Sequence, residues 1–180
     1  MRFSKPTAGI VAALAVLLVT VPSASAASAC PAADASASGA SRDVLVRATL
    51  CVLNRERARR DLRPLRLNSK LSAAARRHSA AMVRRRFFSH DSLSGASFVD
   101  RIRATGYLSG VQSWSVGENI AYGSGDRSSP RAIGTAWMKS PPHRANILSR
   151  SFREVGIGLA FGTPVGARGG TYTTDFGQRS

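Results

Sequence analysis

Acidic groups are scarce in this chain of 180 residues: 10 Asp and Glu stand against 26 Lys and Arg, for a net charge of +16, and there are three histidines and two cysteines. Each scarcity excludes a chemistry. Two cysteines without a CxxC spacing cannot build a thiolate zinc site. No HExxH is present, so the helical two-histidine zinc motif is absent. Beyond the first 26 residues no apolar run reaches the roughly 20 residues needed to span a bilayer. Aromatic residues make up 7% of the chain and are not interleaved with the basic ones, so a stacking platform for nucleic acid is not indicated.

What is present begins with an address. Arg2 and Lys5 precede an unbroken apolar run from Ile10 to Val19, and Ala24-Ser25-Ala26 fits the small-residue rule for cleavage, so residues 1–26 read as a secretory signal peptide. Lipid anchoring at Cys30 is the weaker reading, because Ala27 occupies the position where such sites place Leu or Val. An exported cysteine pair favours a disulfide between Cys30 and Cys51. It would close a loop of about 20 residues, worth roughly 3 kcal/mol in loop entropy.

All basic residues except Lys5, Lys70 and Lys139 are arginine. Such a charge attracts anionic cell-envelope polymers or acidic lipid surfaces. The arginines are scattered, however, and their densest groups, Arg55 to Arg60 and Arg84 to Arg86, fall where helices should end, a place the helix dipole favours.

The Ala- and Ser-rich residues 27–41 read as a flexible lead, and residues 42–180 as one domain. Ser41 or Asp43 can cap a helix over Val44–Arg60, with Leu45, Ala48 and Val52 at helical spacing. Asn68 or Ser69 caps a second helix that carries Leu71, Ala74, Ala75, His78 and Met82 on one face. A short third helix follows near 98–104, then a strand over Val116–Tyr122, a loop at 123–129 and a fourth helix opened by Pro130. Strict alternation of Val155, Ile157, Leu159 and Phe161 marks a strand at Glu154–Phe161, and Gly170–Phe176 a further one. This order argues for an α+β fold, a small, mainly antiparallel sheet with helices packed on it.

Site chemistry concentrates in three segments: Phe88-Ser89-His90, Gly117-Glu118-Asn119-Ile120, and Trp137 to Leu148 with Ser140, His143 and Asn146. Two neutral imidazoles and a carboxylate, His90, His143 and Glu118, could form an incomplete sphere for a divalent metal, zinc by ligand type, with water in the open position. The alternative is that Glu118 orients an imidazole and the cluster is a hydrogen-bond network. A Ser-His-Glu arrangement can also be drawn through Ser89 or Ser140, but neither lies in a G-x-S-x-G elbow and both suit turns or caps. His78 reads as a core or cleft-lining histidine, and Asn54, Asn119 and Asn146 as residues that satisfy backbone groups.

The ordered set Leu53-Asn54, Arg57, Phe88-Ser89-His90, Gly117-Glu118-Asn119-Ile120, Trp137-Met138, His143-Arg144-Ala145-Asn146-Ile147-Leu148, Gly156-Ile157-Gly158 and Asp175-Phe176-Gly177 resembles the CAP superfamily, in its bacterial secreted branch. The resemblance implies an α-β-α sandwich with a solvent-open cleft where His90, Glu118 and His143 converge. One position departs from it. Many eukaryotic members carry a second acid three residues after the tryptophan, where this chain has Ser140.

Two functions follow as expectations. One is a secreted binding module for a lipid or cell-envelope ligand, with Ser140, Asn119 and Asn146 around the His–Glu cleft. The other is a metal-assisted extracellular hydrolase in which His90, Glu118 and His143 activate a metal-bound water.

Overall fold

In the computed structural model, which describes Met1 and residues 30–180, side-chain caps set the start of each long helix. The expected signal peptide lies, apart from Met1, outside the described residues. Helix α1 spans Arg42–Ala58 behind Ser41, and α2 spans Ser69–Arg85 behind Asn68. The Asn68 carboxamide oxygen accepts from the backbone of Lys70 at 3.0 Å and of Leu71 at 3.2 Å. A reciprocal Ser97/Asp100 capping box starts the short α3, Phe98–Arg103.

The fourth helix expected from Pro130 is followed by a separate fifth. Helix α4 covers Pro130–Lys139 and α5 covers Pro141–Leu148. Ser140 between them is extended, as a residue before proline prefers, and Pro141-Pro142 can only begin a new helix.

Four strands form one sheet in the order β1-β3-β4-β2. Strands β2, β3 and β4 are Trp114–Ser124, Glu154–Phe161 and Gly169–Arg179. The β2–β4 and β3–β4 pairs are antiparallel, while the two-residue β1, Arg66–Leu67, runs parallel to β3. The third strand has the bounds read from its alternation. The flanking strands extend beyond their expected limits because they pair with each other along eleven registered positions, Trp114 with Arg179 through Ser124 with Gly169.

Side-chain alternation divides the layers. Val155, Ile157 and Leu159 of β3 and Tyr172 and Phe176 of β4 pack with Leu45, Leu53, Ile133, Trp137 and Ile147 of α1, α4 and α5. The opposite face of β3 is glycine for a steric reason. A Cβ at Gly156 would meet the Leu71 backbone at 2.0 Å, and one at Gly158 the Ala75 backbone at 2.2 Å. Helix α2 therefore lies almost on the sheet, and its buried side chains reach the neighbouring strands.

Residues 30–41 are seated, against the expectation of a flexible lead. Cys30 and Cys51 form a disulfide with their Cα atoms 5.6 Å apart. The Ala37 amide donates to the Ser128 hydroxyl at 2.9 Å, and Asp34 accepts two hydrogen bonds from Arg131 at 2.6 and 3.0 Å. Arg57 locks the other end of α1. It is fully buried and donates to the backbone carbonyls of Arg63, Ile147, Ser149 and Phe152. Backbone oxygens thus take the place of a carboxylate partner and join α1 to the loops around α5.

Candidate binding cleft

Strand β2 is an edge of the sheet, and its Glu118 points toward the α2 face beside its registered partner Asp175. Glu118 is anchored on both oxygens. His90, in the loop after α2, lies with Nδ1 2.8 Å from Oε1, and the Arg101 guanidinium of α3 donates to Oε2 at 2.6 Å. The Glu118 side chain is 1% exposed, whereas that of His90 is 48% exposed. The imidazole therefore presents its other edge to solvent from a fixed base.

His143 approaches from α5, which packs against the edge strand. Its backbone carbonyl accepts from the Asn119 carboxamide at 3.0 Å. Asn146 donates to the Glu118 carbonyl at 3.2 Å and to the Asn119 side chain at 2.8 Å. The two asparagines stitch α5 to β2. They fix the α5 backbone at His143 against the strand that carries Glu118, close enough for His90 to act on the His143 imidazole.

His78 lies in α2 below the cleft, buried, with Nε2 donating to the Ser89 carbonyl at 2.9 Å. Ser89 accepts the Asp91 amide through its hydroxyl at 3.1 Å, so it serves as a turn residue. Ser140 sits at the α4–α5 junction and its side chain makes no capping bond. Neither serine is hydrogen-bonded to His90 or His143, and no Ser-His-Glu relay is assembled among the described residues. Phe88 and Tyr122 flank the cleft in an edge-to-face pair with centroids 4.9 Å apart, and remain 46% and 40% exposed.

The electrostatics follow from one cation among two buried acids. Burial works to raise the Glu118 carboxyl, but the hydrogen bond from His90 and the charge of Arg101 outweigh it and hold Glu118 below its ordinary range. Asp175 is hydrogen-bonded to neither His90 nor Arg101, and the charge of Arg101 lowers it less than its other surroundings raise it. Burial, then the facing Glu118 carboxylate, push it well above the usual carboxylate range, and its Oδ1 accepts no hydrogen bond. Burial also lowers His78 against the pull of Glu118, with Arg101 and His90 adding repulsion, and lowers His143, with His90 again adding repulsion. Among the buried groups the charged form is thus favoured at Glu118 and disfavoured at Asp175 and His78.

A divalent metal held by His90, His143 and Glu118 does not fit this donor set. Both Glu118 oxygens already serve other groups, and the guanidinium on Oε2 puts a positive charge where a cation would need an anionic ligand. Among the described residues, no three His, Cys, Asp or Glu side chains are grouped closely enough to hold a metal ion. What Glu118 does contact is His90 Nδ1 and the Arg101 guanidinium.

The sequence profile of the cysteine-rich secretory protein family, CAP, matches residues 50–174, which includes every side chain of this cleft but Asp175. The chain belongs to the CAP family. Within it, this chain is similar to the uncharacterized protein YkwD of Bacillus subtilis, 35% identical over 105 residues that make up 58% of this chain and 38% of that protein. It therefore spans well under half the length of that curated relative. A crystal structure of an extracellular SCP-domain protein from Bacillus anthracis superposes with a TM-score of 0.61 at 26% identity, over 76% of this chain and 43% of that one. An outer surface protein of Borrelia burgdorferi shares the fold, with a TM-score of 0.57 at 20% identity over 71% of this chain and 87% of its own.

Two members of this CAP cleft were missed by sequence reasoning. Arg101 carried no signal, being one arginine among many on a short helix. Asp175 was visible in Asp175-Phe176-Gly177, but its role depends on the β2–β4 register that sets it opposite Glu118. Among the described residues no helix is long and apolar enough to cross a membrane.

Proposed function

We propose that this CAP protein is an extracellular binding module whose cleft takes a lipid or cell-envelope ligand against His90, Phe88 and Tyr122. The observation that carries this reading is the double anchoring of Glu118 by His90 and Arg101. A carboxylate held by a donor on each oxygen and kept below its ordinary range is a weak proton acceptor. What it does provide is a rigid support for the exposed imidazole. The uncovered aromatic pair beside it offers apolar area at low entropic cost, as expected where a ligand is to be held. The Cys30–Cys51 disulfide is consistent with an extracellular setting.

Binding of the purified protein to vesicles of envelope lipid and to soluble wall-glycan fragments tests this. Wild type should bind one of the two, and the Phe88→Ala/Tyr122→Ala variant should bind it at least about tenfold more weakly, the loss expected for two truncated contact aromatics. Unchanged affinity in that variant contradicts the reading. So does ligand hydrolysis that His90→Ala abolishes.

A further inference from the structure

Arginines that look scattered along the sequence are gathered by the fold. A cavity of about 390 Å³ between α1, α4 and the start of α5 is ringed by Arg55, Arg59, Arg60, Arg131, Lys139 and Arg144. Glu56 is the one acid in its lining, and it is already paired with Arg59 and Arg60. Arg131 is held by Asp34. Arg55, Lys139 and Arg144 make no ion pair among the described residues.

Helix dipoles account for only part of this ring. Arg55 and Lys139 occupy last turns, where a cation is favoured. Arg131 and Arg144 occupy the first turns of α4 and α5, where the dipole disfavours one. Like charges drawn from three helices to one cavity repel each other, and an anionic occupant would relieve that repulsion. The floor is Val52, Gly134 and Met138, apolar and without an aromatic ring. Such a floor suits short aliphatic carbon units and offers no surface for stacked bases.

We infer that this cavity is a binding site for a phosphodiester-linked polyol chain, an anionic polymer with phosphates on the cationic ring and polyol carbons on the apolar floor. None of its lining residues belongs to the His90–Glu118 cleft, so the site stands or falls independently of the function proposed for that cleft. The guanidinium groups supply the planar donors that phosphate oxygens accept, and Lys139 adds a point charge.

The probe is poly(glycerol phosphate), titrated into the full chain at several salt concentrations. The test variant is Arg55→Gln/Lys139→Gln/Arg144→Gln, which removes only cations that pair with no acid among the described residues. The control is Arg84→Gln/Arg85→Gln/Arg86→Gln at the end of α2, with the same change in net charge. The test variant should lose at least about tenfold in affinity and about 2 in the log–log salt slope, at ~0.7 per neutralised phosphate. The control should stay within about twofold of wild type. Near-ultraviolet circular dichroism and the melting temperature verify that both variants are folded. Should the test variant prove unfolded, single Arg144→Gln and Lys139→Gln variants must each weaken binding more than any single control substitution. Equal losses in test and control would reduce the effect to net charge and overturn the site. So would no binding of the polymer, equal retention of single-stranded RNA in the same cavity, or capture of anionic vesicles in place of the polymer.

Discussion

Glu118 and Asp175 stand directly opposite each other on β2 and β4, two acids on one buried face served by a single guanidinium. Arg101 and His90 claim Glu118, and burial beside that carboxylate raises Asp175. The arrangement shifts two chemically similar side chains in opposite directions.

Asp175→Asn should therefore stabilise the protein at neutral pH. In wild type the folded Asp175 holds its proton to higher pH than the unfolded chain, which releases it around the ordinary value of 3.8. Stability from this group is full below that value and falls as pH rises toward the raised folded value, by up to about 1.4 kcal/mol per pH unit for one proton. Asparagine copies the neutral acid and carries no such dependence. Urea unfolding across a pH series should show the variant gaining on wild type as pH rises; a variant that is less stable at every pH, with an unchanged slope, would contradict the assignment.

Removal of the other acid should have the opposite result. Glu118→Gln leaves Arg101 mostly buried without an anion, a loss of about 3 kcal/mol or more. Arg101→Met strands Glu118 and should cost a similar amount. The double variant should cost less than the two singles together by about 1 kcal/mol or more, because neither charge is then left alone. Chemical denaturation of the four proteins gives the coupling directly, and strict additivity would mean that the ion pair is not formed.

The imidazoles set the acid side. His78 and His143 are both held below 6.5 in the folded chain, chiefly by burial. Groups lowered in this way contribute stability that is present above 6.5 and is lost as pH falls, because the unfolded chain takes up the proton first. His78→Gln, which can still donate to the Ser89 carbonyl, should flatten the melting temperature between about pH 6.5 and 5. A profile as steep as that of wild type would place the titrating group elsewhere.

Local physics explains which parts of this molecule were legible beforehand. The Asn68 cap and the alternation in β3 are written in neighbouring residues: α2 starts directly behind Asn68, and β3 has the bounds expected of it. The Pro141-Pro142 break was equally present in the sequence, and it divides the α4–α5 region in two. The β1 pairing with β3 was not legible, since two residues carry no periodicity. The disulfide that ties residues 30–41 to α1 was legible in the cysteine pair, whereas the Asp34–Arg131 contact that seats the rest of this Ala-rich segment was not. His90, Glu118 and His143 stood out through their rarity. The Arg101 anchor, the Asp175 pairing and the cationic cavity depend on contacts between distant segments, which composition and spacing do not encode.

Glu118 as an anchored support for His90, and not as one of three metal ligands, is put to the test by calorimetric titration of zinc into the full chain at neutral pH. No saturable one-to-one heat is expected. A stoichiometric heat that both His143→Ala and Glu118→Gln abolish would refute that role for Glu118.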